Sequence, residues 1–192
     1  MSSRNNILKR VQQAQPALIP MPADLVSAAA GDVHRFTEVL QSIGGRVVLM
    51  EAGEDVPQKL KELFPTASRV VSSIKSLETF FLHDHAQMTH HSLEDVDIAV
   101  IEAQFGVAEN GAVWVTEKDT IIRVLPFIAE HLVVLLRKEA LVADMHQAYQ
   151  RVAYDDYGFG VFIAGPSKTA DIEQSLVLGA HGPKSMTILL HE

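Results

Sequence analysis

The sequence contains no cysteine among its 192 residues. Disulfide bonds, thiolate nucleophiles and cysteine-ligated iron–sulfur clusters are therefore excluded within this chain. It also lacks long apolar runs: segments such as 98–101 and 131–136 are far shorter than a membrane-spanning helix. We expect no membrane segment, and any redox chemistry must reside on another subunit.

Positive charge is scarce, because Lys and Arg number 16 against 24 Asp and Glu, which gives a formal net charge of −8. No dense basic block is present, which argues against non-specific nucleic-acid binding. Residues 1–6 lead into an amphipathic pattern rather than an apolar signal peptide. We therefore expect a cytoplasmic protein.

The length predicts one domain with a continuous core. Ile7, Leu8 and Val11 lie at helical spacing and predict a short amphipathic helix, which a proline-containing arm follows. We assign residues 1–23 to this helix and arm, and residues 24–192 to a single α/β domain.

Helix-like and strand-like segments alternate along the domain. The predicted helices cover about 24–43, 55–64, 141–152 and the stretch from the loop at 165 to 178; the predicted strands are 46–50, 69–71, 96–101, 112–116, 131–136, 160–164 and 186–190. Continuous Val, Ile and Leu strands predict a mainly parallel sheet with helices on both faces. Ligands of such sheets bind beyond the carboxyl ends of the strands, where we expect the polar loops.

The most polar loop follows the strand 160–164 and contains Gly165, Pro166, Ser167 and Thr169, with Asp171 just inside the predicted helix. Backbone N–H groups at a helix start, together with two hydroxyls, suit an anionic or carbonyl-bearing ligand. The alternative is a plain helix cap. A Walker A loop is excluded, because Pro166 stands where that motif needs lysine.

A second polar turn, Glu109, Asn110 and Gly111, joins two predicted strands. Asn-Gly alone predicts a hairpin turn. However, apolar neighbours on both sides predict partial desolvation and a tuned pKa for the Glu109 carboxyl group, and Gly111 would let a ligand approach the backbone. Glu109 is the candidate catalytic residue.

The remaining candidates are histidines and one arginine. His83, His85, His90 and His91 are clustered, but no spacing fixes a third metal ligand, so we favour a solvated segment over a metal site. The segment 181–182, His-Gly, is either a turn or part of the entrance to the ligand-binding site. Arg123, in an apolar run, is expected to face an anion or a carboxylate partner.

Several of these motifs resemble those of the lactate-utilisation (LUD) domain family. The segment 165–173, Gly-Pro-Ser-Lys-Thr-Ala-Asp-Ile-Glu, and the segment 178–183, Leu-Gly-Ala-His-Gly-Pro, are similar to its C-terminal signature. Residues 108–111 match its Ala-Glu-Thr-Gly type loop with Asn110 at the usual Thr, and residues 123–126 resemble its Arg and Leu-Pro element.

This resemblance implies a three-layer α/β/α fold with a mainly parallel sheet, as in the NagB/RpiA/CoA-transferase-like superfamily. It also implies a role in oxidising L-lactate to pyruvate alongside iron–sulfur partner proteins, with no cofactor bound by this chain. That division of labour agrees with the missing cysteines. Glu-Asn-Gly is also similar to a CoA-transferase loop in which the glutamate forms an acyl thioester.

Two hypotheses follow. The first is an accessory subunit that binds a small anionic ligand or a partner through the Glu109 and Gly165 loops, with Asn110, Gly111, Arg123, Pro166, Ser167, Thr169, Asp171, His181 and Gly182 as the further binding residues. The second is an autonomous enzyme of the CoA-transferase or sugar-phosphate type, with Glu109 as nucleophile or base.

Overall fold

The computed structural model of the protein describes residues 3–20, 29–77, 89, 91–152, 158–170 and 176–192. Its helices are α1 (Ser3–Gln13), α2 (Val33–Ser42), α3 (Val56–Leu63), α4 (Leu125–Ile128) and α5 (Met145–Arg151). Its strands are β1 (Arg46–Leu49), β2 (Val70–Ser72), β3 (Ile98–Glu102), β4 (Phe105–Val107), β5 (Ala112–Thr116), β6 (His131–Arg137), β7 (Leu141–Val142), β8 (Gly160–Ile163), β9 (Lys168–Ala170), β10 (Leu176–Leu178) and β11 (Ser185–His191).

The central sheet has five strands in the order β1-β11-β6-β3-β2, and every neighbouring pair is parallel. Strands β3, β6 and β11 are almost continuously buried, as expected for a parallel sheet covered on both faces. The predicted α/β fold with a mainly parallel sheet is confirmed.

A second sheet has the order β7-β4-β5-β8, in which β4 and β7 are parallel and the other pairs are antiparallel. It packs with α2 on one face of the central sheet, where Phe36 and Leu40 of α2 join Ile101 and Val134 in the larger core. Helix α3 covers the opposite face through Leu60. The outer layer over the first face is therefore largely a sheet, whereas the sequence predicts helices on both faces.

Local signals set the helix boundaries. The carboxylate of Asp32 accepts a hydrogen bond from the His34 N–H at 2.9 Å and so caps the start of α2. Gly44, at φ +90°, ends that helix as expected from Gly44-Gly45. Helix α3 begins after Asp55 with Pro57 in its first turn.

The predicted helix 141–152 is correct only in its second half. Leu141 and Val142 form β7 because they pair with Gly106 and Val107 of β4, and the helix begins at Met145 after the Asp144 cap. Tertiary strand pairing overrides local helix propensity at these two positions.

The N-terminal helix forms as predicted, but it buries none of its residues. Leu18 and Ile19 of the following arm are 98% and 84% exposed. Within the described ranges, no helix is both long and apolar enough to cross a bilayer.

Candidate functional site

A cleft of about 320 Å³ lies beside the end of β8. Two chain segments supply its polar lining: Gly165, Pro166, Ser167 and Lys168 from one, and His181 and Gly182 from the other. We call it the Gly165 cleft. Five predicted binding residues, Gly165, Pro166, Ser167, His181 and Gly182, are therefore brought together by the fold.

Glycine is required where the chain turns out of β8. Gly165 has φ +73°, and a Cβ atom built there would lie 3.1 Å from the Ile43 carbonyl oxygen at the end of α2. The turn therefore packs against backbone that cannot move cheaply. Pro166 is buried, and the Lys168 side chain passes near Gly44.

Backbone hydrogen bonds hold the two lining segments together. The Ser167 N–H donates to the Pro183 carbonyl oxygen at 2.9 Å, and the Gly179 N–H donates to the Ser167 carbonyl oxygen at 3.0 Å. A Cβ atom at Gly182 would lie 3.1 Å from the Ser167 Cβ, so glycine allows this close approach. The backbone of Ser167 is thus held on both sides by the segment that contains His181 and Gly182.

The charge of the Gly165 cleft favours an anion. Its ionisable lining residues within the described chain are Lys168 and His181, and no carboxylate is among them. Phe127, Leu132 and Phe162 add apolar wall. A lysine, an imidazole and a serine hydroxyl beside apolar surface suit a small carboxylate or phosphate.

The predicted helix after Gly165 is wrong. Residues Lys168–Ala170 and Leu176–Leu178 are strands β9 and β10, paired antiparallel with Thr169 opposite Val177. Ser167 and Thr169 therefore do not begin a helix within the residues that the structure describes. Asp171 lies outside the described residues.

The Glu109 turn joins β4 to β5 as the hairpin that Asn-Gly predicts. The Asn110 side-chain oxygen accepts a hydrogen bond from the Ala112 N–H at 3.0 Å. Gly111 has φ +70°, and a Cβ there would lie 3.0 Å from the Leu40 Cα. Gly111 thus allows close contact with α2, which accounts for it without a ligand.

The Glu109 side chain supports a neighbouring helix. It is exposed, and its Oε2 accepts a hydrogen bond from the Met145 N–H, the first residue of α5, at 2.9 Å. The expected desolvation is absent, because the apolar neighbours Val107, Ala108 and Ala112 are buried while Glu109 points outward.

The two polar turns lie at the same end of the second sheet, because β5 begins beside the end of β8 with Val113 opposite Ile163. Both turns also contact α2. However, none of Glu109, Asn110 and Gly111 lines the Gly165 cleft. The Gly165 cleft also does not lie at the carboxyl ends of the central strands: Leu132 and Pro183, at the amino ends of β6 and β11, line it.

Arg123 faces a carboxylate, one of the two predicted alternatives. Its Nε and Nη2 donate to Glu117 Oε2 at 2.9 and 2.6 Å, and the guanidinium lies 5.7 Å from the centre of the Phe159 ring. The Gly158 N–H bound to Glu117, followed by Arg123 itself, lowers the pKa of that carboxyl group. Arg123 is not part of the cleft lining.

Of the clustered histidines, only His91 lies within the described residues, at the start of a short 3₁₀ turn, so the expectation for this cluster falls outside the structure. In the described part of the chain, no group of three His, Cys, Asp or Glu residues could hold a metal ion. Lys168 lines the cleft but is not among the binding residues predicted from the sequence. The signal for it was present, since Lys168 directly follows Ser167 in the polar loop.

The fold defines an α/β protein whose parallel central sheet carries a second mixed sheet. A crystal structure of a DUF162 family protein from Deinococcus radiodurans shares this fold, with a TM-score of 0.62 at 17% identity, covering 83% of this chain and 95% of that chain. The sequence matches the LUD domain over residues 75–191, more than half of the chain. The chain therefore belongs to the LUD domain family.

Several relatives share one name. The chain is 30% identical over 104 residues to the "Lactate utilization protein C" of Oceanobacillus iheyensis, which covers 50% of this chain and 44% of that protein. It is 22% identical over 183 residues to the protein of the same name from Deinococcus radiodurans, covering 91% and 86%. The chain spans a little under half the length of the relatives it matches at 30% identity or more.

Proposed function

We propose that this protein is an accessory component of an L-lactate oxidation system and binds a small anionic ligand in the Gly165 cleft. The observation that carries the binding claim is the cleft's lining, which offers Lys168, His181 and Ser167 and no carboxylate among its described residues. The names of the relatives support the link to lactate. L-lactate and its oxidation product pyruvate are both small carboxylates.

The redox step is assigned to partner proteins. Oxidising lactate to pyruvate removes two electrons and two protons, so an electron acceptor is required. A chain without cysteine offers no thiolate ligand for an iron–sulfur cluster. Iron–sulfur proteins acting with this chain would accept the electrons, while this chain binds the carboxylate.

The alternative, a CoA-transferase-like enzyme with Glu109 as nucleophile, has less support. The Glu109 carboxylate is exposed and accepts a hydrogen bond from the start of α5, and Glu109 is absent from the Gly165 cleft lining. An acyl-enzyme requires the nucleophile beside the bound acyl group. Incubation with acyl-CoA followed by mass spectrometry tests this alternative: an adduct that disappears in Glu109→Gln would replace our proposal.

Growth and co-purification test the proposed role. We expect a deletion strain to lose growth on L-lactate but not on glucose, and the tagged protein to co-purify with iron–sulfur proteins from lactate-grown cells. The wild-type gene should restore growth fully and Lys168→Gln should restore it poorly. Lys118→Gln is the matched control, since Lys118 is exposed and lies outside the cleft lining. Normal growth of the deletion strain on lactate would refute the role.

A further inference from the structure

A second cavity, of about 300 Å³, lies at the opposite edge of the central sheet, at the carboxyl ends of the strands. The loop 50–54 after β1 forms one side, and residues of β6 and β11 form the other. We call it the β1 cavity. Among the described residues, none lines both this cavity and the Gly165 cleft.

The topology favours a ligand at this edge. Strand β1 forms one edge of the central sheet. After β1 the chain crosses one face of the sheet through α3 and reaches β2 at the other edge. The strands β3, β6 and β11 then follow in order back toward β1, so that the last strand, β11, lies beside the first. The connection after β6 instead runs over the other face, through the second sheet. Strands β1 and β6 flank β11, so the chain leaves the two sides of β11 toward opposite faces and a crevice opens beyond its carboxyl end, where ligands of open α/β sheets commonly bind.

The floor of the β1 cavity is apolar. Met50 and Leu189 are buried, and Val56 and Leu135 are half-buried beside them. Gly53 in the rim loop has open space, because a Cβ atom there would meet nothing within 4 Å. This floor suits the hydrocarbon part of a small ligand.

The rim is acidic, with Glu51, Glu54 and Glu192. The Glu54 carboxylate already has two partners within the protein: it forms an ion pair with the Lys59 Nζ at 2.6 Å and accepts a hydrogen bond from the Glu51 N–H at 2.8 Å. Glu192 lies 3.6 Å from the Lys138 Nζ. The Glu51 carboxylate, by contrast, forms no hydrogen bond or ion pair with any described residue.

His191 adds an unused acceptor to the lining. Its Nδ1 lies 2.9 Å from the Glu192 backbone oxygen, which can only accept, so in the neutral ring Nδ1 carries the proton and Nε2 the lone pair. Nε2 is shielded from solvent and has no hydrogen-bond partner among the described residues. Buried polar atoms of this kind are usually satisfied, so a donor at this position would remove an energetic cost.

We propose that the β1 cavity binds a small primary amine with an apolar tail. The tail would lie on the floor formed by Met50, Val56, Leu135 and Leu189. The ammonium group would pair with the Glu51 carboxylate at the rim. This site goes beyond the proposed function, because its ligand carries the opposite charge and its residues are separate from the Gly165 cleft.

Titration with n-hexylamine, followed by NMR of methyl-labelled protein, tests the proposal. We expect saturable shifts of the Met50 and Leu189 methyl signals with a Kd of about 1 mM or tighter. 1-Hexanol and hexanoate have the same chain length without the positive charge, and each should bind at least about fivefold more weakly. Binding of either as tight as the amine, or no saturation by the amine, would overturn the proposal.

Two charge-removing variants identify the residue responsible. Glu51→Gln keeps the shape of an exposed side chain and should weaken hexylamine binding about fivefold. Glu94→Gln, an equally exposed change at the amino-end edge of the sheet, should leave binding unchanged. Equal effects of the two variants would contradict the assignment. Both substitutions are at the surface, so folding is not at risk.

Discussion

Replacing Gly165 by alanine tests how the cleft turn is held. Gly165 and Gly53 both have a positive φ, +73° and +87°, so alanine is strained at either position. They differ in surroundings: a Cβ at Gly165 would lie 3.1 Å from the Ile43 carbonyl oxygen and 3.2 Å from its Cγ1, whereas a Cβ at Gly53 meets nothing within 4 Å. Gly53→Ala is therefore the matched control for backbone strain alone.

The expected magnitudes follow from that difference. Left-handed backbone costs alanine about 1–2 kcal/mol, and the less flexible unfolded chain offsets about 0.4–1 kcal/mol of it. We expect Gly53→Ala to lower the free energy of unfolding by about 1 kcal/mol. Gly165→Ala should cost at least about 1 kcal/mol more, because overpacking against a fixed carbonyl group adds to the strain.

Urea unfolding at equilibrium measures both variants against the wild type. A difference of 1 kcal/mol corresponds to about 2–4 °C in Tm for a protein of this size, so thermal unfolding gives a second readout. Equal destabilisation by the two substitutions would refute the close packing of the Gly165 turn on the end of α2. Gly165→Ala should also weaken anion binding, whereas Gly53→Ala should not.

Three further predictions concern single side chains. Glu109→Ala should cost about 0.5–2 kcal/mol in urea unfolding, because the first amide of α5 loses its acceptor, and should leave anion binding in the cleft unchanged. Hydrogen bonds from the backbone amides of segment 68–69 lower the pKa of Asp97, so its contribution to stability is present above the ordinary carboxyl pKa of about 4 and is lost as the pH falls through the lower folded value. Acid titration of stability should accordingly be steeper for the wild type than for Asp97→Asn, and parallel curves would contradict this. Leu40→Ala, at a fully buried position of α2, should cost about 2–5 kcal/mol, whereas Glu38→Ala on the exposed side of that helix should stay within about 0.5 kcal/mol.

The parallel sheet could be predicted from the sequence because its strands are runs of apolar residues bounded by clear stops. Segments such as Ile98–Glu102 and Ser185–His191 are largely buried, and eight of their twelve positions are Val, Ile, Leu, Ala or Met. Turns and helix ends could also be predicted where one or two neighbouring residues determine them, as with the Asn110-Gly111 hairpin and the end of α2 at Gly44.

The second sheet and the β9–β10 pair could not be predicted in this way. Leu141 and Val142 become a strand only because β4, more than thirty residues earlier, lies beside them. Ser167 is held by Pro183 and Gly179, partners remote in sequence. Contacts between distant segments leave no periodic pattern in the local sequence. The polar residues after Gly165 were therefore interpreted as the start of a helix, although they lead into β9.

Only part of the site could be predicted, because the sequence identifies polar segments but not the long-range contacts that bring them together. The Gly165 segment and the His181-Gly182 segment were identified by their composition, and the fold brings them together. The expectation that Glu109 would join them rested on strand order in one sheet. In fact both turns follow strands of the second sheet, but the Glu109 side chain turns toward α5 and not toward the Gly165 cleft.

Calorimetric titration of the purified protein with L-lactate, pyruvate and phosphate tests the central claim most directly, with Lys168→Gln and Lys118→Gln as the paired variants. We expect saturable binding of at least one of these anions, weakened about fivefold by loss of the Lys168 charge and unaffected by loss of the Lys118 charge. Binding that is insensitive to Lys168, or no binding of any of the three anions, would contradict it.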